Sequence, residues 1–361
     1  MKTDVMVLVG SRKGVFIMES SASRRRWKTR GPYLAGQSVM HMAFDPRSGI
    51  LFAATGDPWF GSRIYRSTDM GTTWDEPASG PTFPADSGYK LERVWHVAPG
   101  RADEPGVVYA GVEPAALFKS TDDGATWSWI EALSNHPTRD KWQPGAGGLC
   151  LHTIVLHPTD VQRVMVGISA VGVFQTTDAG ASWNPTNTGI RTNFMPDQPP
   201  EYPEWGQCIH KIVSSGDGWL YQQNHCGVYR SNDFGQKWEE VTGDLPSDWG
   251  FVAAAHPHDT KTFYVCPGTS GYHHWVPEGK PAVYRTTNRG DSWERMDKGF
   301  PKENAYINFL RDAMAVDRLD DAGIYLGSNT GQLYFSRNNG DSWHLAEPVF
   351  PPINSVGTIT L

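Results

Sequence analysis

Apolar and polar positions along this chain alternate in short runs separated by turn residues. Between residues 38 and 74 the runs cover 38–44, 50–55 and 63–67, and a further run begins at Thr73. Alternation over such lengths predicts half-buried β-strands. The same order of two apolar runs, a short strand and a turn returns along the rest of the sequence.

The return is periodic. Trp27, Trp74, Trp127, Trp183, Trp238, Trp293 and Trp343 follow one another at spacings of 47, 53, 56, 55, 55 and 50 residues. Periods of this size mark a repeat fold, in which each unit is completed by its neighbours. Six of these tryptophans end one octet, as in Ser67-Thr-Asp69-Met-Gly71-Thr-Thr-Trp74 and Thr176-Thr-Asp178-Ala-Gly180-Ala-Ser-Trp183. The other four copies end at Trp127, Trp238, Trp293 and Trp343, the last two with Asn288 and Asn338 in place of aspartate. A degenerate copy keeps only Ser20 and Trp27. The octet predicts a hairpin turn. Asp or Asn bonds its own backbone, glycine takes the φ > 0 position, and tryptophan packs back into the sheet.

This octet resembles the Asp-box, or BNR, repeat of sialidases and their relatives, and the resemblance covers essentially the whole chain. It implies a turn between the third and fourth strands of each blade. The expected fold is therefore all-β: a seven-bladed β-propeller with four-stranded antiparallel blades, as one domain over residues 1–361. Residues 1–33 hold three strands without an inner one, and 354–361 reads as an inner strand with nothing after it. The C-terminal strand is expected to complete the N-terminal blade and so remove an open edge.

Composition narrows the function. The formal net charge is -7 with basic residues scattered apart from Arg24, Arg25 and Arg26, which argues against nucleic acid. No segment is long and apolar enough to span a membrane. The N-terminal run is broken by Asp4 and reads as a strand rather than a signal peptide. Four cysteines without an export signal point to free thiols and a cytoplasmic location.

Candidate chemistry gathers at the face carrying the starts of the inner strands. His41, His96, His152 and His210 fall near the starts of consecutive inner strands. Cys150 stands two residues before His152, and Cys208 two before His210. Period two puts each pair on one side of its strand, so the pairs could converge on a divalent transition metal such as zinc. These six residues form the candidate metal set. Packing cysteines and hydrogen-bonded histidines explain the same pattern without a metal. Asp57, Glu113, Arg311 and Asp312 add acids and a base there, and with His152 and His210 make up the candidate catalytic set. Arg311 and Asp312 stand out because charge on an inner strand is costly.

Long loops supply candidate substrate contacts: His136, Arg139 and Trp142 in 135–148, and Tyr202, with Trp205, in 191–207. Asn224, His225, His273 and His274 lie in second-to-third turns. Aromatic walls with polar tips suit a saccharide or another small polar ligand.

The stretches 144–152, Gln223-Asn224-His225 and 310–314 resemble sialidase-like, glycosyl-hydrolase-like bacterial repeat proteins. That resemblance implies an axial-pocket enzyme that hydrolyses or β-eliminates a carbohydrate-type substrate, with or without a metal. Sialidases need an Arg-Ile-Pro motif, an arginine triad and a Tyr/Glu pair. The nearest string here is Arg63-Ile64-Tyr65, so authentic sialidase activity is not expected. A non-catalytic binding or assembly module is the second reading.

Overall fold

The predicted apolar runs fold as strands, and the chain is nearly all β. The computed structural model describes residues 2–57, 59–76, 79–193 and 202–361. Among these, helix is confined to Glu131–Ser134 and two single turns, Arg139–Lys141 and Pro277–Gly279. Most strands group into four-stranded antiparallel sheets in simple up-and-down order. Two such groups join through a parallel contact between Asp312 and Ser355, giving one eight-stranded sheet. In that sheet Ile353–Thr360 pairs antiparallel with Val5–Ser11, so the two ends of the chain share a ladder. The first repeat is shorter than expected. Val39–Asp45, Ile50–Thr55 and Ile64–Ser67 make three strands, and the fourth is reduced to a single bridge between Arg66 and Asp75.

The inner strands pack in cyclic order. Val39–Asp45 meets Arg93–Pro99, then Leu151–Leu156, Ile209–Ser214, Gly250–Ala255, Phe309–Val316 and Ile353–Thr360 follow, and the last returns to the first. The apolar core lies between neighbouring sheets. Met165 and Val173 of one sheet pack with Ile212, Leu220 and Trp238 of the next.

The octets build their turns with more parts than aspartate and glycine. In every full copy the first Ser or Thr hydroxyl accepts the glycine N–H, at 2.8 to 2.9 Å. That hydroxyl also donates to the Asp or Asn, as from Thr176 to Asp178 at 2.7 Å. The carboxylate takes the backbone N–H four residues on, as at Ser182 (2.8 Å). Two successive residues are left-handed, not glycine alone: Ala179 has φ 58° and Gly180 φ 99°, and the other full copies repeat this. Two of the octet tryptophans bond to the neighbouring sheet, while Trp74 Nε1 donates to Gly71 O of its own turn (3.2 Å). Trp238 Nε1 donates to Thr186 O (3.0 Å) and Trp293 Nε1 to Val241 O (2.9 Å).

A second link joins four of the six turns to the sheet before them. Arg66, Gln175, Arg230 and Arg285 each stand one residue before an octet. Their side chains donate to the left-handed carbonyl of the next octet, at Asp123, Phe234, Arg289 and Asn339, over 3.0 to 3.1 Å. The degenerate copy is stitched differently. Arg24, at φ 49°, stands where glycine would be. Its buried guanidinium forms a two-pronged pair with buried Asp317, at 2.6 and 2.7 Å. Arg24 is thus a structural bond across the ends of the chain, and not part of a basic surface.

Candidate functional site

The inner strands begin alike in backbone and differ in chemistry. Each carries a β-bulge near its start, where a residue drops out of the ladder. The unpaired residues are Met40, Trp95, His152, His210, Phe251 and Asn354. On Phe309–Val316 the whole stretch 310–313 stands against one partner residue. A bulge re-aims side chains and ends regular pairing. Here all but His152 turn toward one cavity of about 920 Å³ at the axis.

The cavity wall is aromatic and cationic. Trp95, Trp142, Trp205, Trp249 and Phe251 line it, with Arg12, Arg93, Lys141 and Arg311. Asp312 is the sole carboxylate among the described lining residues. The Arg311 guanidinium lies between the rings of Trp95 (5.3 Å) and Phe251 (5.5 Å). It has no hydrogen-bond or ion-pair partner among the described residues, and its Nε is buried unpaired. Arg93 is already bonded to Glu113 (3.0 Å), which also accepts from Trp95 Nε1 (2.9 Å). Glu113 is buried beneath the glycine-rich loop. A Cβ on Gly148 would sit 1.8 Å from its Oε1, so only glycine fits there.

Asp312 is neutralised from below. Lys211 Nζ donates to its Oδ1, and His41 Nε2 (3.8 Å) and His96 Nδ1 (3.9 Å) face the same oxygen. His41 Nδ1 accepts Val97 N–H (3.3 Å), which leaves the proton on the nitrogen facing Asp312. Burial pushes His41 down to about 4 against the pull of Asp312, and burial likewise holds His96 well below the usual histidine range. Burial works to raise the Asp312 carboxyl, but Lys211, His41 and His96 outweigh it and hold it well below the usual range. His96 and Lys211 line a second hollow of about 420 Å³. The cluster therefore stands between the two hollows as a polar plug.

His210 lies on the cavity wall with a fixed tautomer. Its Nδ1 donates to Gly250 O (2.5 Å), and its Nε2 lies 3.5 Å from Cys208 Sγ. Burial, aided by Arg311, keeps it well below the usual histidine range. His225 and His274 complete that wall. Two groups could hold a metal: His41, His96 and Asp312, and Cys208, His210 and His225. Within each, the ligand atoms lie within 4.8 Å of one another.

The expected convergence of two Cys–His pairs does not occur. His152 is fully buried, with Nε2 2.9 Å from Ile209 O and Nδ1 3.0 Å from Thr153 Oγ1. It braces two strands and has no nitrogen left for catalysis or a metal. Cys150 is buried off the cavity, where burial pushes its thiol up to about 11. Asp57 is a turn acceptor for the N–H groups of Trp59 (2.8 Å) and Phe60 (3.1 Å).

Among the expected substrate contacts, Trp142, His225 and His274 line the cavity. His136 stacks on Trp142, with its Nδ1 against Thr138 (2.8 Å). Arg139 is held over Tyr89 and Trp142 and donates to Ala115 O (2.6 Å). Asn224 caps the turn by accepting His225 N–H (2.6 Å). His273 packs on Trp275 away from the cavity, and Tyr202 is half exposed outside it. The middle of the 191–207 loop, residues 194–201, lies outside the described residues. Sequence reasoning missed Lys211, Trp95 and Phe251. The cost of charge on an inner strand, which flagged Arg311 and Asp312, applies equally to Lys211.

No family model matches the chain. A xyloglucanase of Acetivibrio thermocellus is 26% identical over 326 residues, covering 80% of this chain and 35% of its own length. The chain spans about a third of the length of the curated relatives it matches first. The crystal structure of the Niastella koreensis GH74 enzyme superposes with a TM-score of 0.59 at 16% identity, over 96% of this chain and 65% of that one. The periplasmic gluconolactonase of Pseudomonas aeruginosa superposes with a TM-score of 0.61 at 11% identity, over 99% of both chains. The fold is thus a β-propeller of the kind found in glycoside hydrolases.

Proposed function

We propose that this protein is a carbohydrate-acting hydrolase whose site is the axial cavity and whose substrate carries an acidic group. In this reading residues 1–361 form one seven-bladed domain, supported by the cyclic packing of the inner strands and the shared terminal sheet. The single observation that carries the ligand class is Arg311. A guanidinium held between Trp95 and Phe251, without a carboxylate partner among the described residues, is ready for an anion. The aromatic wall supplies stacking surface for sugar rings. The xyloglucanase relative acts on a polysaccharide, as its name states, which supports the same substrate class. The overall charge of -7 makes a cationic cavity a local exception that draws anions inward.

Asp312 is held ionised beside Lys211, so it steadies positive charge and is neither a proton donor nor a useful base. His274 stands on the wall outside both candidate metal groups, and proton transfer falls to its imidazole. The reading is not of a sialidase, because no tyrosine lines the cavity among the described residues. The four buried, free cysteines suit the cytoplasm.

The test is a panel of neutral and acidic oligosaccharides, followed by calorimetry and by product analysis. Acidic members should bind and yield new reducing ends. An unsaturated, ultraviolet-absorbing end would instead mark β-elimination. Arg311→Gln should weaken binding of the acidic members about 10- to 100-fold, the size of a lost charged hydrogen bond. Equal binding of neutral sugars by both proteins would overturn the acidic class. Binding without turnover would favour the non-catalytic module, a reading kept by the lone carboxylate of the wall.

A further inference from the structure

We propose that Cys208, His210 and His225 form a transition-metal site on the cavity wall, of the kind that takes zinc or cobalt(II). The proposal rests on placement and on the direction of lone pairs, and it stands independently of the hydrolase reading.

The sulfur and the two imidazole nitrogens lie within 4.8 Å of one another, and Cys208 Sγ is 3.5 Å from His210 Nε2. The Cys208–His210 separation already suits two ligands of one tetrahedral metal, and His225 is carried on the turn beside them. His210 is already oriented. Its Nδ1–H is bonded to Gly250 O, and this leaves the Nε2 lone pair facing the sulfur. A backbone carbonyl on the far nitrogen is the usual outer support of a metal-bound imidazole. The bulge at His210 aims the ring at the cavity, and the turn after Leu220–Asn224 brings His225 beside it. All three residues line the cavity, so a fourth position is open to water or ligand, as in catalytic rather than structural zinc sites.

Donor chemistry selects the metal. One thiolate and two imidazoles favour late transition metals over magnesium or calcium, which seek oxygen. Binding releases the thiol proton of Cys208 and leaves the histidines neutral, so a divalent ion brings one net positive charge to the site.

The rival group is already neutralised. At His41, His96 and Asp312 the Lys211 ammonium bonds the same Asp312 oxygen that a metal would need. A dication there would displace or repel a buried ammonium. By contrast, Cys208 and His210 bond to each other, to Ser169 and to Gly250, and none of these is a cation.

The experiment is a titration of chelator-treated full-length protein with cobalt(II) chloride, followed by absorption. One equivalent should bind, with the visible bands of tetrahedral cobalt and a thiolate-to-cobalt charge-transfer band. Cys208→Ala should abolish the charge-transfer band, and His225→Gln should weaken binding at least tenfold. His225→Gln lies on a turn and serves where the buried cysteine variant fails to fold. Cys150→Ala should leave the spectrum unchanged. No uptake would overturn the proposal. So would a spectrum indifferent to Cys208→Ala and His225→Gln, or one lost only in His96→Gln. Because the readout needs no substrate, its failure leaves the hydrolase reading untouched, and the reverse holds.

Discussion

The octet hairpins at the outer end of each sheet and the bulges at the inner end both repeat around the molecule, but they repeat different things. The hairpins repeat sequence. Ser or Thr, Asp or Asn, and Gly recur because each supplies one bond or one dihedral angle that the turn cannot form without. The bulges repeat only backbone. Their unpaired positions hold Met40, Trp95, His152, His210, Phe251 and Asn354, with no residue type in common beyond the two histidines. A turn satisfied locally constrains its own residues. A bulge constrains only where a side chain points, and leaves its identity to chemistry at the axis. Outer repetition thus stabilises the ring, and inner variation makes a site.

The comparison can be broken most severely at the axis. Lys211→Met leaves the buried Asp312 carboxylate without its ammonium, and should cost about 4 kcal/mol in urea unfolding. Lys211→Met combined with Asp312→Leu should recover most of that loss. Equal costs for the single and double variants would mean that the pair is not what Lys211 contributes.

Acid comes next. His41 titrates near 4 in the folded protein and near 6.5 when unfolded, so the unfolded chain takes the proton first. Stability should therefore fall as pH drops from 6.5 to 4, by on the order of 3 kcal/mol from His41 alone. The hairpins respond in a lower window. Hydrogen bonds from Thr73 hold Asp69, and those from Ser182 hold Asp178, down at about 2. Their contribution is present above the ordinary carboxylate value and is lost only as pH falls from there toward 2. Thermal unfolding across pH 7 to 2 should show two separate declines, and His41→Asn should flatten the upper one. A single decline below pH 4 would remove the distinction.

The smallest effect sharpens the outer half. Thr176→Val keeps the shape of a buried side chain but strips the acceptor from Gly180 N–H. It should cost about 1 to 2 kcal/mol by urea unfolding. Thr286→Val, at the matching place, loses the same glycine bond but a bond to the neutral Asn288 in place of a carboxylate, and should cost somewhat less. A larger cost for Thr286→Val would show that the turns depend on their surroundings more than their sequence implies.

Much of the framework was legible because its causes are local. The strand runs and the octet turns follow from residues within about eight of one another, the tryptophan spacing repeats them along the chain, and the structure folds them as hairpins between strands. The role of the leading Ser or Thr was readable in the same octets, since a hydroxyl recurs four residues before each glycine, whose N–H it accepts. The pairing of Cys150 with His152 was misread because strict alternation was carried through a bulge, and which way the unpaired ring turns is decided by the next sheet. His152 turns into a brace against Ile209, while His210, at the same bulge, stays beside Cys208 on the cavity wall.

By itself, then, the sequence determined the repeats, the turns and the strand order, along with an unusual concentration of histidine and charge near the inner strand starts. These are properties of near neighbours in the chain, where short-range hydrogen bonds and alternation decide the outcome. Only the tertiary structure decided which of those residues meet. Lys211 and Asp312 are 101 residues apart yet share a hydrogen bond across the axis. Trp95, Phe251 and Arg311 come from three different sheets to form one sandwich. Closing the ring sets these distances through sheet-to-sheet packing, and no local preference along the chain carries that information.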